Sequence, residues 1–329
     1  MNRRGFRIIL VLGLAAAAVG LCISLTSSHK EEAVLPDGRV QLRLNEALTN
    51  EISDTSALTG LDTKIQSYMR QWGLHGASLA IMRNDSLVYA KGYGWADEEK
   101  HVKMQPSNIL RVASVSKLLT AAGIMLLQDQ GKLNIKDTVF GPRGILTDTT
   151  YTSVMKDPNY KKITVEDLLR HKGGFTSYGG DPMFSTRTIM QTNHLDTPPD
   201  NTELMRIMLR RRLRFVPGTS QYYSNFGYLL LSKVIEEVSG QPYEEFMQKN
   251  VLEPAGCYDM HIAENYYKDK RKNEVRYYNG ADTCLVDEFN NSGNMVERCY
   301  GGSDIHSLSG AGAWVCSTPE LARFVASID

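Results

Sequence analysis

The sequence has no excess charge of either sign. Its 37 lysines and arginines balance 37 aspartates and glutamates, so no overall field draws in nucleic acid or an anionic membrane surface. Its five cysteines contain no C-x-x-C and its seven histidines no H-x-x-x-H, which leaves a zinc site without ligands at the usual spacing. A G-x-S-x-G nucleophile elbow is missing, and Gly310-x-Gly312 lacks the third glycine of a dinucleotide loop. Neither an internal repeat nor a low-complexity tract is present. These absences argue against metal, nucleotide and nucleic-acid functions, and no cofactor is expected. What remains is an ordinary globular composition, 42% hydrophobic over 329 residues, enough for one substantial core. The densest basic run, Arg206, Arg210, Arg211, Arg212 and Arg214, alternates with Met208, Leu209 and Leu213 and reads as a solvated helix face rather than an anion-binding patch.

At the N-terminus, Arg3, Arg4 and Arg7 precede an apolar stretch from Ile8 to Leu25, and polar Thr26, Ser27 and Ser28 follow. Residues 1–26 therefore read as an export signal, either a cleaved signal peptide or a membrane anchor, since about 18 apolar residues is the lower limit for a span. The expected location is periplasmic or membrane-anchored, facing away from the cytoplasm. Cys22 invites a lipoprotein reading, but Leu21 before it is bulkier than the small residue such processing favours. Cys257, Cys284, Cys299 and Cys316 permit two disulfides in three connectivities, with Cys284 to Cys299 the most local.

Residues 27–58 are polar and lack a sustained apolar period, as a linker would. From residue 59 the pattern becomes that of a folded domain, 59–329. Leu61, Ile65, Tyr68, Met69 and Trp72 recur at helical spacing, and Ala77 to Met82 and Leu87 to Gly92 read as a hairpin around Arg83, Asn84, Asp85 and Ser86. Leu118, Ala121, Ala122, Met125 and Leu126 then predict the apolar stripe of a helix that begins close to Ser114 and that Gly131 helps to end. Helical patterns return over 165–171 and 225–238, with a long loop between Phe175 and Asn201. The fold class expected is α+β, helices packed on an antiparallel sheet with a mainly helical subdomain.

Ser114-Val115-Ser116-Lys117 is the local motif with the most chemistry in it. Residues three apart share a helix face, so hydroxyl and ammonium can meet. A serine needs a base, and an amine desolvated by apolar neighbours can have its pKa lowered far enough to serve. A serine opening a helix also has unpaired backbone N–H groups nearby for an oxyanion. The same spacing occurs at Ser27 to Lys30 and at Ser153 to Lys156, but neither opens a long apolar helix, and the second runs into Asp157-Pro158. Tyr223-Ser224-Asn225 follows the Pro217-Gly218-Thr219 turn and precedes an apolar helix. A phenol there can relay protons and a side-chain amide can orient a substrate amide, against the plainer reading of a packed tyrosine and a capping asparagine. A second Y-x-N, Tyr277-Tyr278-Asn279, lies in a charged stretch without that context.

Ser114-x-x-Lys117 together with Tyr223-Ser224-Asn225 resembles the first two active-site motifs of the serine beta-lactamase and penicillin-binding family, its class C beta-lactamases, D-alanyl-D-alanine carboxypeptidases and esterases. The likeness extends over Ile163 to His171, the Pro217-Gly218-Thr219 turn, Gly310 to Trp314 and Ser317 to Phe324, roughly residue 59 to the end. It implies a beta-lactamase-like fold and a hydrolase acting through an ester on Ser114. Lys117 and Tyr223 would handle protons, Asn225 would bind substrate, and no metal would take part. The substrate would be a small molecule, such as a beta-lactam or an ester, or a D-amino-acid peptide of peptidoglycan. Family members carry a third motif, K-x-G or H-x-G, on a later strand, and none follows Tyr223 here. The resemblance therefore implies C-terminal strands beyond Asp329 and a domain incomplete without them. A catalytically silent binding or sensing protein of the cell envelope is the competing expectation.

Overall fold

The computed structural model describes residues 44–53, 58–175, 180–280 and 285–328. The expected signal, most of the expected linker, and Cys284 lie outside them.

Helix α1, Thr59–Trp72, ends where Gly73 adopts φ +60° and the amides of Gly73 and Leu74 turn back onto Arg70 and Met69. Of its apolar residues only Met69 is buried, while Tyr68 and Trp72 stand exposed. The hairpin is as expected. Strands β1, Gly76–Arg83, and β2, Ser86–Asp97, pair antiparallel around Asn84 and Asp85, both at positive φ, as a two-residue loop between right-twisted strands demands. Strand β3, Val102–Lys103, adds to β2.

A second small sheet places the site. Strand β4, Leu110–Arg111, and β5, His261–Ile262, flank the buried β8, Trp314–Cys316, both antiparallel to it. The ladder runs one step past β4, with Val112 N–H donating to Trp314 O. Ala113 then breaks the extended chain at φ +47°, and a 3-10 turn over Ala113–Val115 leads into helix α2, Ser116–Asp129. Trp314 N–H donates to Ser116 Oγ at 3.2 Å, so β8 is fastened to both sides of that turn.

The face α2 buries differs from the expected stripe. Ser116, Lys117, Leu119, Thr120, Gly123, Ile124 and Leu127 are buried, whereas Leu118, Ala121, Ala122, Met125 and Leu126 line an open apolar groove with Val251, Pro254 and Phe324. The helix is apolar on most sides, and the side turned inward is the one that carries polar groups with partners waiting for them. Thr120 Oγ1 donates to Gly310 O at 2.8 Å and bonds the Tyr243 hydroxyl, which also accepts from Trp314 Nε1 at 3.0 Å. Buried polar atoms persist only when so paired.

The helical part contains α3, Val165–Leu169, α4, Thr186–Asn193, α5, Asn201–Leu209, α6, Asn225–Ser239, and α7, Tyr243–Met247. Thr164 and Asp167 close a reciprocal capping box on α3. The predicted long loop contains helix α4, whose Ile189 and Met190 are buried. Of the basic run only Arg206 is helical, since α5 ends at Leu209. Helix α6 carries Leu229, Leu230, Leu231, Val234 and Ile235 fully buried, the all-round apolarity of a central helix. Strands β6, Leu285–Asp287, and β7, Met295–Glu297, form a separate hairpin, and α8, Thr318–Ser327, follows β8 and packs on β1.

Cys257, Cys299 and Cys316 carry free thiols. Cys299 Sγ lies 3.5 Å from Tyr277 O; the most local pairing, Cys284 with Cys299, involves a residue outside the described ones.

Candidate active site

The four residues singled out from sequence converge. Ser114, exposed at the mouth of the helix turn, has its Oγ 2.6 Å from the Tyr223 hydroxyl and 3.3 Å from Lys117 Nζ. Lys117 is buried, and it also donates to Asn225 Oδ1 at 2.7 Å and to Ala311 O at 2.5 Å. Its ammonium lies 4.8 Å from the Tyr223 ring centre and 5.4 Å from that of Tyr228, close enough for the π faces to share in its solvation. Neither of the two decoys within the described residues takes part. Ser153 ends a short turn and Lys156 N–H binds Leu209 O, while Tyr277 donates to Glu274 and Asn279 Oδ1 accepts from Cys299 N–H.

Asn225 is not the cap of α6. Ser224 is, through its Oγ to Gly227 N–H at 3.1 Å. That frees the Asn225 amide, which accepts from Lys117 and donates from Nδ2 to Asp181 Oδ2 at 2.7 Å. Lys117 donates to the amide in either protonation state and a carboxylate only accepts, so the amide has one consistent orientation. Asp181 Oδ1 is held in turn by Met183 N–H at 2.9 Å.

The donor count limits what Lys117 can be. Asn225 Oδ1 and Ala311 O are acceptors and take two N–H bonds. The third contact, with Ser114 Oγ, runs from nitrogen when Lys117 is an ammonium and toward nitrogen when it is an amine. Burial dominates its electrostatics and pushes its pKa down, partly offset by the neighbouring Tyr223 and by the charge of Asp181. Amine and ammonium thus both fit the same cage.

Two participants escaped the sequence reading. Asp181 lies in a turn-rich segment with no local signature. His171 fell inside a recognised stretch without a role, yet its ring centre lies 4.5 Å from that of Tyr223. Three non-glycine residues beside the site, Ala113, His171 and Ser309, have φ of +47°, +56° and +43°, and such conformations cluster where surrounding structure over-determines a functional geometry.

An exposed serine at a helix turn, a buried lysine three residues on and a phenol from the turn before a second helix, all on an α+β frame, define the serine beta-lactamase and penicillin-binding class. A family model described as Beta-lactamase matches residues 61–329, and the chain belongs to that family. It is 27% identical over 277 residues to the putative penicillin-binding protein PbpX of Bacillus subtilis (strain 168), covering 82% of this chain and 63% of that protein. To Protein flp of Staphylococcus aureus (strain COL) it is 27% identical over 210 residues, 64% of this chain and 39% of the relative. The chain thus spans less than two thirds of the length of these relatives. Among solved structures, the octameric penicillin-binding protein homologue from Pyrococcus abyssi superposes with a TM-score of 0.55 at 26% identity, covering 82% of this chain and 55% of that one. The D-amino acid amidase from Ochrobactrum anthropi SV3 gives 0.62 at 20% identity over 83% and 70%, a likeness of fold alone.

Proposed function

We propose that this protein is a serine hydrolase that forms an acyl-enzyme on Ser114, and that it works outside the cytoplasm on a beta-lactam, a D-amino-acid peptide or an ester. The observation that carries the reading is the position of Ser114 Oγ, exposed and bonded at once to Tyr223 and Lys117. In acylation the serine proton passes to the phenolate of Tyr223 or the amine of Lys117 as Oγ attacks the carbonyl. The N–H of Ser114, in the first turn where backbone donors lack helical partners, faces the developing oxyanion. The same pair returns the proton to the leaving group, and water then repeats the sequence in reverse on the ester. Asn225 keeps Lys117 aimed at Ser114 and presents its amide toward bound substrate. Export rests on Arg3, Arg4 and Arg7 followed by the apolar residues from Ile8 to Leu25.

A fluorophosphonate, and separately a fluorescent penicillin, should label the protein at Ser114, with Ser114→Ala abolishing the label and leaving circular dichroism unchanged. Labelling at Ser153 would falsify the assignment. Fluorophosphonate labelling without penicillin labelling would narrow the substrate to esters or amides, and no labelling at all would favour a silent binding protein of the cell envelope.

A further inference from the structure

His171 grips the segment that carries Tyr223 at three successive residues. Its carbonyl accepts from Tyr222 N–H at 2.8 Å, its ring tilts against that of Tyr223 with centres 4.5 Å apart, and its Nδ1 accepts from Ser224 N–H at 3.3 Å. The backbone takes φ +56° here, a left-handed region that few residues other than glycine enter, asparagine, aspartate and histidine among them. On its other side the ring meets Tyr228, 5.2 Å away, whose hydroxyl donates to Leu169 O. Tyr223 is half exposed, so the stack on His171 and the nearby ammonium of Lys117 are contacts that hold a phenol otherwise open to solvent.

Resting on the reading of Ser114 as the acyl-forming nucleophile, we propose that His171 is a positioning residue that, as the neutral Nε2–H tautomer, fixes Tyr223 over Ser114 without touching the reacting atoms. The Ser224 N–H needs the lone pair of Nδ1, which leaves the proton of the neutral ring on Nε2. Protonation would set one N–H against another and bring a second cation near Lys117. The groups facing the ring are Lys117 from α2, Tyr223 from the turn and Tyr228 from α6, and Arg170 and Lys172 flank it in its own segment. Burial first, and the charge of Lys117 second, hold its pKa below the ordinary histidine value. The phenol therefore stays in place at neutral pH and is released on the acid side.

Two substitutions in the full chain test this. Asparagine at 171 tolerates positive φ and can accept from Ser224 N–H with its side-chain carbonyl, but it does not titrate; alanine offers no acceptor. With p-nitrophenyl acetate, His171→Ala should lower kcat roughly tenfold or more while KM changes less than about twofold, and His171→Asn should recover most of the loss. His171→Asn should also lose the limb of the pH profile on the acid side of the usual histidine pKa. Independently of turnover, the ¹⁵N shifts of His171 should show the Nε2–H tautomer, and the Ser224 amide should resist exchange in the wild type and the asparagine variant but not in the alanine variant. Wild-type kcat and pH profile in His171→Ala, or a proton on Nδ1 at neutral pH, would overturn the proposal. Failure of the Ser114 reading looks different: Ser114→Ala would keep hydrolysing ester, while the tautomer and the Ser224 protection would still decide the role of His171.

Discussion

Tyr223 and Ser114 are joined by a shorter bond, 2.6 Å between hydroxyls, than the 3.3 Å contact that links Ser114 to Lys117. The phenol is therefore the nearest group with which the serine can exchange a proton. Tyr223→Phe keeps the ring against His171 and removes only that oxygen. Labelling of Ser114 by a fluorophosphonate should slow by about 10²- to 10⁴-fold, with the thermal midpoint almost unmoved because the side chain is half exposed. An unchanged labelling rate would take Tyr223 out of the proton path.

Asp181 is linked to Ser114 through Asn225 and Lys117. Its charge favours the ammonium form of Lys117, against the burial that disfavours it. In Asp181→Asn the negative charge is gone, so the proton affinity of Lys117 falls further. Whichever limb of the pH profile follows Lys117 should then move toward lower pH. The new residue can also donate, which releases the Asn225 amide from its single orientation, and a loss of roughly threefold to tenfold in acylation rate is expected. A profile superimposable on the wild type would show that Asp181 serves α4 and its approach rather than the lysine.

Glu320 offers a test of stability remote from the chemistry. It is fully buried, its carboxylate accepts from Tyr258 and Asp259 N–H, and burial pushes its pKa up to about 7 against those bonds. A raised folded-state pKa means that the folded protein binds the proton more tightly. This contribution is complete below the ordinary carboxylate pKa of 4.5 and is lost as pH rises through about 7. The span corresponds to about 3 kcal/mol at most. Denaturant unfolding of Glu320→Gln should show a flatter fall in stability between those pH values than the wild type. Parallel curves would mean that the carboxyl ionises with little penalty.

Gly310 lies where a side chain has no room. A Cβ there would meet Thr120 Oγ1 at 2.6 Å and the Tyr243 hydroxyl at 3.0 Å, both held in the network under β8. Gly310→Ala should cost about 1–3 kcal/mol, as overpacking usually does, and should displace the neighbouring Ala311 carbonyl that accepts a hydrogen bond from Lys117. Calorimetry and fluorophosphonate labelling on the same sample would read both effects. Wild-type values in each would show that the network gives way without cost.

The parts of this molecule that announce themselves in sequence are those fixed by local rules. The hairpin is written in two residues that accept positive φ, the start of α3 in the capping pair Thr164 and Asp167, and the candidate nucleophile in the three-residue step from Ser114 to Lys117. Interactions that depend on distant neighbours are not legible this way. The buried face of α2 carries Ser116, Lys117 and Thr120, so a search for an apolar stripe selects the opposite face. Asn225 stands one residue after a good cap and is easily taken for one. Asp181 and His171 are ordinary turn residues until the chain folds Tyr223 and Asn225 against them, and the left-handed backbone of Ala113 and Ser309 leaves no trace in their identities.

Several bonds of the site join distant parts of the chain: Ser114 to Tyr223 spans 109 residues and Lys117 to Ala311 spans 194. Closing loops of that size costs entropy before any bond repays it, so contacts of such separation form late and slow folding. The candidate active site is thereby a reporter of assembly. Helix content can return early from α2 and α6 acting locally, whereas reactivity of Ser114 toward a phosphonate requires all the distant segments in register. In a refolding time course, circular dichroism and serine reactivity should recover as two separate phases, the chemistry last.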